Sequence, residues 1–206
     1  MSTTFQFQTK KMNIIDAGAC GLGSLVVSGV KNPLHLTFPN RLTRLLNRAD
    51  KPQNYVAALA GISEGLVSKY EAAKTIPRVD SVERIANSFG VQPCWLAFGP
   101  EGTLRFRKRR DPDTIDQATP ELLLVDAVDT ALRSEEIPSR LKAIREVKAL
   151  SLRRVAEAAA MSPQGILKIE NGLAAPLIST IEALAVALDV SPGWLAFGIG
   201  EGPSAD

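Results

Sequence analysis

The chain of 206 residues has few of the residue types from which metal sites, disulfide frameworks and nucleophilic enzyme sites are built. It contains one histidine, His35, and two cysteines, Cys20 and Cys94. This set is too small for a four-ligand zinc site of the usual spacing or for a disulfide framework. A Ser-His-Asp or Cys-His enzyme would have to be built on His35 alone. We see no trio of nucleophile, base and orienting group, so we predict no enzyme activity, no cofactor and no metal.

Aromatic residues are also scarce, at 5% of the chain, whereas hydrophobic residues make up 45% and charged residues 22%. The last two fractions are close to the soluble globular average. Few aromatics favour aliphatic, helical cores over the aromatic cores of β-sandwiches. The length is sufficient for two small domains.

No apolar run is long enough to cross a membrane. The best candidate, residues 14–30, is interrupted by Asp16 and four glycines. Lys10, Lys11 and Cys20 have a partial likeness to a bacterial lipoprotein signal, but Asp16 lies inside its apolar part. We therefore expect no membrane association and a location in the bacterial cytoplasm, a reducing compartment that agrees with the two cysteines.

The net charge of +2 conceals an uneven distribution. Residues 105–110 carry five positive charges, and residues 111–138 carry eight negative charges and one positive charge. The sequence pI of about 8.6 is below the level at which charge alone predicts nucleic-acid binding.

The dominant feature of the sequence is an internal repeat. The segment Trp95–Gly99 recurs as Trp194–Gly198, and the same offset of 99 aligns residues 41–99 with 140–198 without a gap. Eighteen of these 59 positions are identical. A shared helical composition does not explain an ungapped register, so we infer a duplicated domain.

Each copy shows the pattern of five short helices. In the first copy we predict helices from Arg41, Pro52, Ser63, Asp80 and Pro93, with Gly61 in a left-handed turn after the second helix. The second copy has N-cap candidates at Ser151 and Ser162, a fourth helix from Ser179 or Thr180, and a fifth from Pro192. Its Ala160 stands where the first copy has Gly61. A left-handed alanine costs roughly 1 kcal/mol, so this turn is expected to be either slightly strained or closed in a different way.

The predicted fold is therefore all-α, with two tandem five-helix domains joined by a linker that contains an extra helix. The boundaries are an N-terminal arm over residues 1–38, domain 1 over 39–102, a charged linker over 103–119, and the linker helix with domain 2 over 120–202.

The second and third helices with their tight turn resemble the helix-turn-helix of the Cro/C1-type, phage-repressor-like (XRE-like) family of DNA-binding proteins. The first copy carries the pattern in Gln53, Val56, Ala57, Gly61, Ile62, Ser63, Val67, Ser68, Lys69, Tyr70, Glu71 and Pro77. The second carries it in Ser151, Val155, Ala156, Met161, Ser162, Ile166, Lys168, Ile169, Glu170, Asn171, Gly172 and Pro176. The resemblance covers about 60 residues twice and implies lambda-repressor-like domains.

The resemblance implies that the third helix of each copy enters the DNA major groove with its N-terminal residues toward the base edges. The base-facing candidates are Glu64, Gly65, Ser68 and Lys69 in the first copy, and Pro163, Gln164, Gly165 and Lys168 in the second. Candidate phosphate contacts are Gln53, Ser63, Lys74, Ser151, Arg153, Arg154, Ser162 and Asn171. Leu152 departs from the glutamine of the family pattern, and Ala72-Ala73 depart from its Asn-Gly, so either copy could have lost DNA binding and kept the fold.

Several of these residues also have structural interpretations. Glu71 and Glu170 are better explained as holding the fold by pairing with a basic residue than as touching DNA. Trp95 and Trp194 are better explained as core or dimer packing than as base stacking. Cys94 is most simply a buried small residue.

The linker offers further contacts. Arg105, Arg107, Lys108, Arg109 and Arg110 could follow DNA phosphates or form a solvated linker. A flexible linker of this length could let the two helix-turn-helix copies bind neighbouring half-sites of one DNA operator. A homodimer could form through the two WLAF segments or through the helix predicted over residues 120–132.

We therefore predict a transcriptional regulator, with repression more plausible than activation, that binds double-stranded DNA through two adjacent half-sites. Phage or another mobile element is a possible origin. The alternative is a protein-interaction regulator, such as an anti-activator or an antitoxin-like adaptor, in which one or both copies bind a partner or dimerise.

Overall fold

The computed structural model describes residues 33–49, 52–105 and 133–203, which form ten α-helices and no named strand. The first copy comprises α1 (Phe38–Ala49), α2 (Gln53–Ala60), α3 (Glu64–Glu71), α4 (Val79–Phe89) and α5 (Pro93–Phe98). The second comprises α6 (Ile137–Val147), α7 (Leu152–Ala158), α8 (Pro163–Glu170), α9 (Ile178–Leu188) and α10 (Pro192–Phe197). A 3₁₀ turn precedes each copy, at Leu34–Thr37 and at Arg133–Glu136, and another follows α5 at Pro100–Thr103. The predicted all-α tandem architecture is confirmed. The helix predicted over 120–132 and most of the arm over 1–38 lie outside the described residues.

The fourth helix of each copy begins earlier than predicted, and neither begins with a side-chain cap. The N-cap residues are Arg78 and Leu177, so the expected cap at Asp80 and the start at Ser179 or Thr180 were wrong. The first amide of each helix is satisfied from the other copy instead. Val79 N donates to Pro176 O over 3.0 Å, and Ile178 N donates to Pro77 O over 3.1 Å. A side-chain cap is unnecessary where another backbone already fills its place.

These two hydrogen bonds define an approximate two-fold relation between the copies. They flank an isolated antiparallel bridge between Arg78 and Leu177, two positions that are themselves 99 residues apart. Every partner in the pair of bonds is related to its counterpart by the same offset. The two copies are therefore packed against each other as a pseudo-symmetric pair within one chain.

Two buried glutamates, Glu83 on α4 and Glu182 on α9, strengthen the pairing. Glu182 accepts hydrogen bonds from the backbone N–H groups of Leu34 (2.7 Å) and His35 (3.2 Å), and its carboxylate lies 2.6 Å from His35 Nδ1. Glu83 accepts from the backbone N–H groups of Arg133 (2.7 Å) and Ser134 (2.9 Å). Each copy thus caps the 3₁₀ turn that leads into the other copy.

The WLAF segments form the centre of the contact between copies. α5 and α10 lie against each other, with the rings of Phe98 and Phe197 6.5 Å apart. Trp95 is buried and Trp194 packs against the core from a half-buried position, which confirms core packing for both. The contact between WLAF segments that we expected in a homodimer is made here inside one chain.

An arginine closes the end of the fifth helix in each copy, buried at Arg41 and half-buried at Arg140. Arg41 donates to Leu96 O (2.9 Å) and Ala97 O (2.7 Å), and Arg140 donates to Leu195 O (3.0 Å) and Ala196 O (2.7 Å). Charged hydrogen bonds to the carbonyls at a helix end are favourable. Burial lowers the pKa of Arg140, and Glu136 opposes that effect.

Candidate nucleic-acid interface

The turn between α2 and α3 has the geometry expected of a helix-turn-helix. Gly61 is left-handed at φ 63° and ψ 34°, and Ile62 N donates to Ala57 O over 3.0 Å. Ala57 is buried, and its small side chain lets the two helices approach closely. Val67 on the inner face of α3 is completely buried, so the opposite face of α3 is left to solvent.

The second copy builds the same turn without glycine. Ala160 takes the left-handed conformation at φ 53°, and Met161 N donates to Ala156 O over 2.8 Å. Ile166 is the completely buried counterpart of Val67. Of the two alternatives for this turn, a strained left-handed alanine and a different closure, the structure shows the first, and the turn closes as it does in the first copy.

The candidate base-facing residues lie on the outer faces of α3 and α8. All eight are exposed except Gly165, which is half-buried. Four of them carry side chains that can pair with base edges through charge or an amide, namely Glu64, Lys69, Gln164 and Lys168. Glu64 is the one acid among the eight. Neither surface is covered by another described part of the chain.

The glutamates that end the two helices are structural, but they are held differently. Arg145 donates to both carboxylate oxygens of Glu170, over 2.7 and 3.0 Å, and this hydrogen bonding raises the pKa of Arg145. Glu71 instead accepts hydrogen bonds from the side-chain amide of Gln53 and from Thr43 Oγ1. Gln53, a candidate phosphate contact, therefore also tethers α2 to α3.

The remaining candidate phosphate contacts divide between free and engaged side chains. Lys74, Arg154 and Asn171 are exposed, whereas exposed Arg153 pairs with Glu157 over 2.9 Å. The hydroxyls of Ser151 and Ser162 cap their own helices by accepting from Arg154 N and Gly165 N. Ser63 occupies the N-cap position of α3 but makes no side-chain cap.

The beginning of the basic run is attached to the second copy. The guanidinium of Arg105 donates to Gly202 O and lies 3.9 Å from Glu201. A phosphate contact by Arg105 would require the side chain to leave these partners. Arg107, Lys108, Arg109 and Arg110 lie outside the described residues.

Sequence reasoning missed Arg78, which is exposed at the bridge between the copies. No repeat signal marks it, because its counterpart is Leu177. The cross-copy caps were also missed, although the identity of Glu83 and Glu182 in the repeat was a usable signal.

Other functional classes find no positive support in the described ranges. Residues 33–49, 52–105 and 133–203 contain no group of three His, Cys, Asp or Glu side chains that could hold a metal ion. Within the same ranges, no helix has the length and apolar character needed to span a membrane.

Comparison with known proteins gives one family. A helix-turn-helix family model matches residues 42–96 and again residues 141–195, which together exceed half of the chain. Searches among curated proteins and among solved structures give no match. The two matches fall on the two copies that carry the turns at Gly61 and Ala160, and the chain belongs to the helix-turn-helix family of the Cro/C1 type, a family of DNA-binding regulators.

Proposed function

We propose that this protein is a sequence-specific DNA-binding transcriptional regulator of the bacterial cytoplasm, acting as a repressor by occupying its operator. α3 and α8 each enter the major groove at one of two adjacent half-sites. The observation that supports this most directly is that both outer helix faces are exposed on a chain whose two copies form a pseudo-two-fold pair. Because α3 and α8 carry different side chains, the two half-sites differ in sequence.

The connection between the copies makes this spacing feasible. Seven residues lead from Glu71 at the end of α3 to Arg78 at the bridge, and seven more connect Glu170 with Leu177. Seven residues span at most about 25 Å. The helix ends can therefore be up to about 50 Å apart, which includes the separation of about 34 Å between successive half-sites on one face of DNA.

The pairing replaces the flexible tether that the sequence suggested. Cross-copy backbone bonds and the buried Glu83 and Glu182 hold the copies in one arrangement. A fixed arrangement tolerates only one spacing of half-sites, whereas a flexible linker tolerates several. Exposed Arg78 is then placed between the two heads and serves as an additional phosphate contact.

The test uses DNA selected from a random pool with the full chain, followed by binding measurements on spacing variants. We expect two unlike half-sites with centres about one helical turn apart, and insertion of about 5 bp between them should abolish specific binding. Lys69→Ala and Lys168→Ala should each weaken specific binding. If both leave it unchanged, the two-headed model is wrong.

A second candidate function is supported by the surface of α2. Tyr55 and Leu59 are 47% and 56% exposed there, one helical turn apart. Their counterparts on α7 are Arg154 and Ala158. An apolar patch on the first copy favours a protein partner for that copy. This alternative would be supported if the chain bound a protein partner with an affinity that does not change with salt concentration, and if no DNA sequence were selected from the random pool.

A further inference from the structure

A cavity of about 320 Å³ lies at the junction of the two copies. The first copy contributes the start of α4, and the second contributes the start of α6, the last turn of α8 and the loop that follows it. Ligand pockets range over about 300–1,000 Å³, so this cavity suits a small molecule. Its lining includes Asp80, Arg84, Glu135, Ile137, Ile169 and Ala175.

The pseudo-symmetric position on the other side of the junction is filled. Phe38 and Tyr70 stand there in place of Ile137 and Ile169, and Ile76 stands in place of Ala175. The two rings are buried and meet edge to face, with centroids 6.1 Å apart. Larger side chains therefore occupy the space at this position, which agrees with the open side arising from its smaller side chains.

The open side also carries charge that the filled side lacks. Asp80 and Arg84 replace the small neutral residues Ser179 and Ala183. Asp80 is half-buried and lines the cavity, while its Oδ1 atom is inaccessible to solvent and has no hydrogen-bond partner among the described residues. A buried acceptor without a donor is unfavourable by itself. Exposed Glu135 adds a second carboxylate to the lining.

We propose that this cavity binds a small amphipathic amine, whose ammonium group donates to the carboxylate of Asp80 while its apolar body lies against Ile137 and Ile169. One cationic and two anionic side chains give the lining a net negative charge, which favours a cation over an anion. The aliphatic walls favour a hydrophobic body over a polyhydroxylated one.

Such a ligand would contact both copies next to α8. Ile169 belongs to the last turn of α8, and Val79 and Pro176 on the cavity wall make the backbone bond between copies. If the proposed DNA-binding function holds, occupation of the cavity is coupled to the orientation of α8 and changes DNA affinity. The binding site itself does not depend on that function.

The test is a titration of the full-length ¹⁵N-labelled chain followed by amide NMR, with no DNA present. Tryptamine is the probe, and indole and indole-3-acetate are its neutral and anionic counterparts. We expect tryptamine to shift the amides of Gly172, Ala174 and Ala175 saturably, and indole-3-acetate to leave them in place. Asp80→Asn should weaken tryptamine binding at least about tenfold, and Glu146→Gln, which removes an exposed carboxylate elsewhere, should not.

A second variant separates ligand binding from folding. Ala175→Ile introduces the residue that the filled side carries at Ile76, so we expect it to abolish tryptamine binding while the unfolding temperature is kept or raised. The proposal is overturned if no probe gives saturable shifts, if indole binds as tightly as tryptamine, if the shifts occur elsewhere, or if Ala175→Ile binds tryptamine normally. None of these outcomes changes the DNA-binding measurements, so the proposal of an amine site and the proposal of DNA binding can fail independently.

Discussion

α7 exposes Arg153 and Arg154 at the positions where α2 exposes Asn54 and Tyr55. The residues that shape and join the copies changed much less, since Arg41, Glu83 and Trp95 all recur at offset 99. Duplication has therefore kept the packing of the fold and let the two outer surfaces diverge. In a helix-turn-helix the first of the two helices, here α2 or α7, lies across the DNA backbone. If the proposed DNA binding holds, we expect the second copy to make the stronger electrostatic contact with DNA.

The tight turns differ between the copies in a complementary way. The first copy has left-handed Gly61 before α3 and a left-handed alanine, Ala73 at φ 54°, after it. The second copy has left-handed Ala160 before the helix and left-handed Gly172 after it. Around α3 and α8, each copy thus has one left-handed glycine and one left-handed alanine. The second copy also holds Ala149 and Asp189 in the left-handed conformation.

The largest difference between the copies should appear when the glutamate at the end of α3 or α8 is removed. Glu170→Ala removes both charged hydrogen bonds of the half-buried Arg145 guanidinium, which keeps Leu150 O and the more distant Glu146 carboxylate, and we expect a loss of about 2–3 kcal/mol in the free energy of unfolding. Glu71→Ala leaves only a neutral amide and a hydroxyl unpaired, and should lose about 1 kcal/mol. Urea unfolding measures both. Equal losses would contradict the distinction.

The glycine at the centre of the contact between copies should be the next most sensitive position. A Cβ on Gly193 would lie 2.4 Å from Cys94 Sγ and 2.6 Å from Ile199 O, so Gly193→Ala should destabilise the chain by about 2 kcal/mol. Gly65→Ala is the matched control, because no atom lies within 4 Å of its Cβ position and the residue is inside α3. It should be neutral or slightly stabilising. Thermal unfolding that ranks these variants in the opposite order would contradict the packing at the junction.

Exchanging the outer residues of α2 and α7 tests the electrostatic part of the comparison. Arg154→Tyr should weaken binding to all DNA sequences by about tenfold and lower the salt slope by about one. Tyr55→Arg should have the opposite effect, since it gives the first copy the charge of the second. Fluorescence anisotropy over a salt series measures both quantities. The asymmetry is disproved if Tyr55→Arg leaves the salt slope unchanged.

Relieving the strained turns should have a smaller effect. Ala160→Gly and Ala73→Gly should each stabilise the chain by about 0.5–1 kcal/mol, because glycine adopts the left-handed conformation without a Cβ penalty. Gly61→Ala should destabilise the chain by a similar amount. There is space for a side chain at this position, but the left-handed φ is unfavourable for alanine. Ala158→Gly, a change inside α7, is the control and should destabilise. Denaturant midpoints at constant m-value provide the measurement.

The thiol of Cys94 should be unreactive in the folded chain near neutral pH. Burial raises its pKa to about 12 from an ordinary value of about 9, so in a Cys20→Ser background the native chain should not react with a thiol reagent at pH 8. In urea, one thiol per chain should react. Because the folded pKa is the higher one, its contribution to stability is complete below about pH 9 and is lost as the pH rises toward about 12. Rapid labelling of the native thiol at pH 8 would contradict its burial.

The sequence predicts those features that depend on neighbours along the chain. Gly61, Ala160, Ser151 and Ser162 act within a few residues of themselves, and the structure shows each in its predicted conformation or cap. The repeat at offset 99 also predicted that both copies fold alike. Local signals of this kind are sufficient for short helices and tight turns.

The pairing of the copies was not predicted because it depends on contacts between distant residues. Glu182 holds Leu34, which is 148 positions away, and nothing near either residue signals the bond. The starts of α4 and α9 were misplaced for the same reason, since Pro77 and Pro176 satisfy their first amides from the other copy. Lys69, Lys168 and the other candidate DNA contacts stay predictions, because exposure is necessary for binding but does not identify the ligand.

The exchange of caps through Glu83 and Glu182 affects how activity depends on the concentration of the protein. A repressor that must first join two chains loses its active form steeply on dilution, because association depends on the square of the concentration. In this protein the partner is always present on the same polypeptide. If the proposed repressor function holds and one chain fills both half-sites, operator occupancy should rise in simple proportion to the amount of protein at low expression, without a threshold.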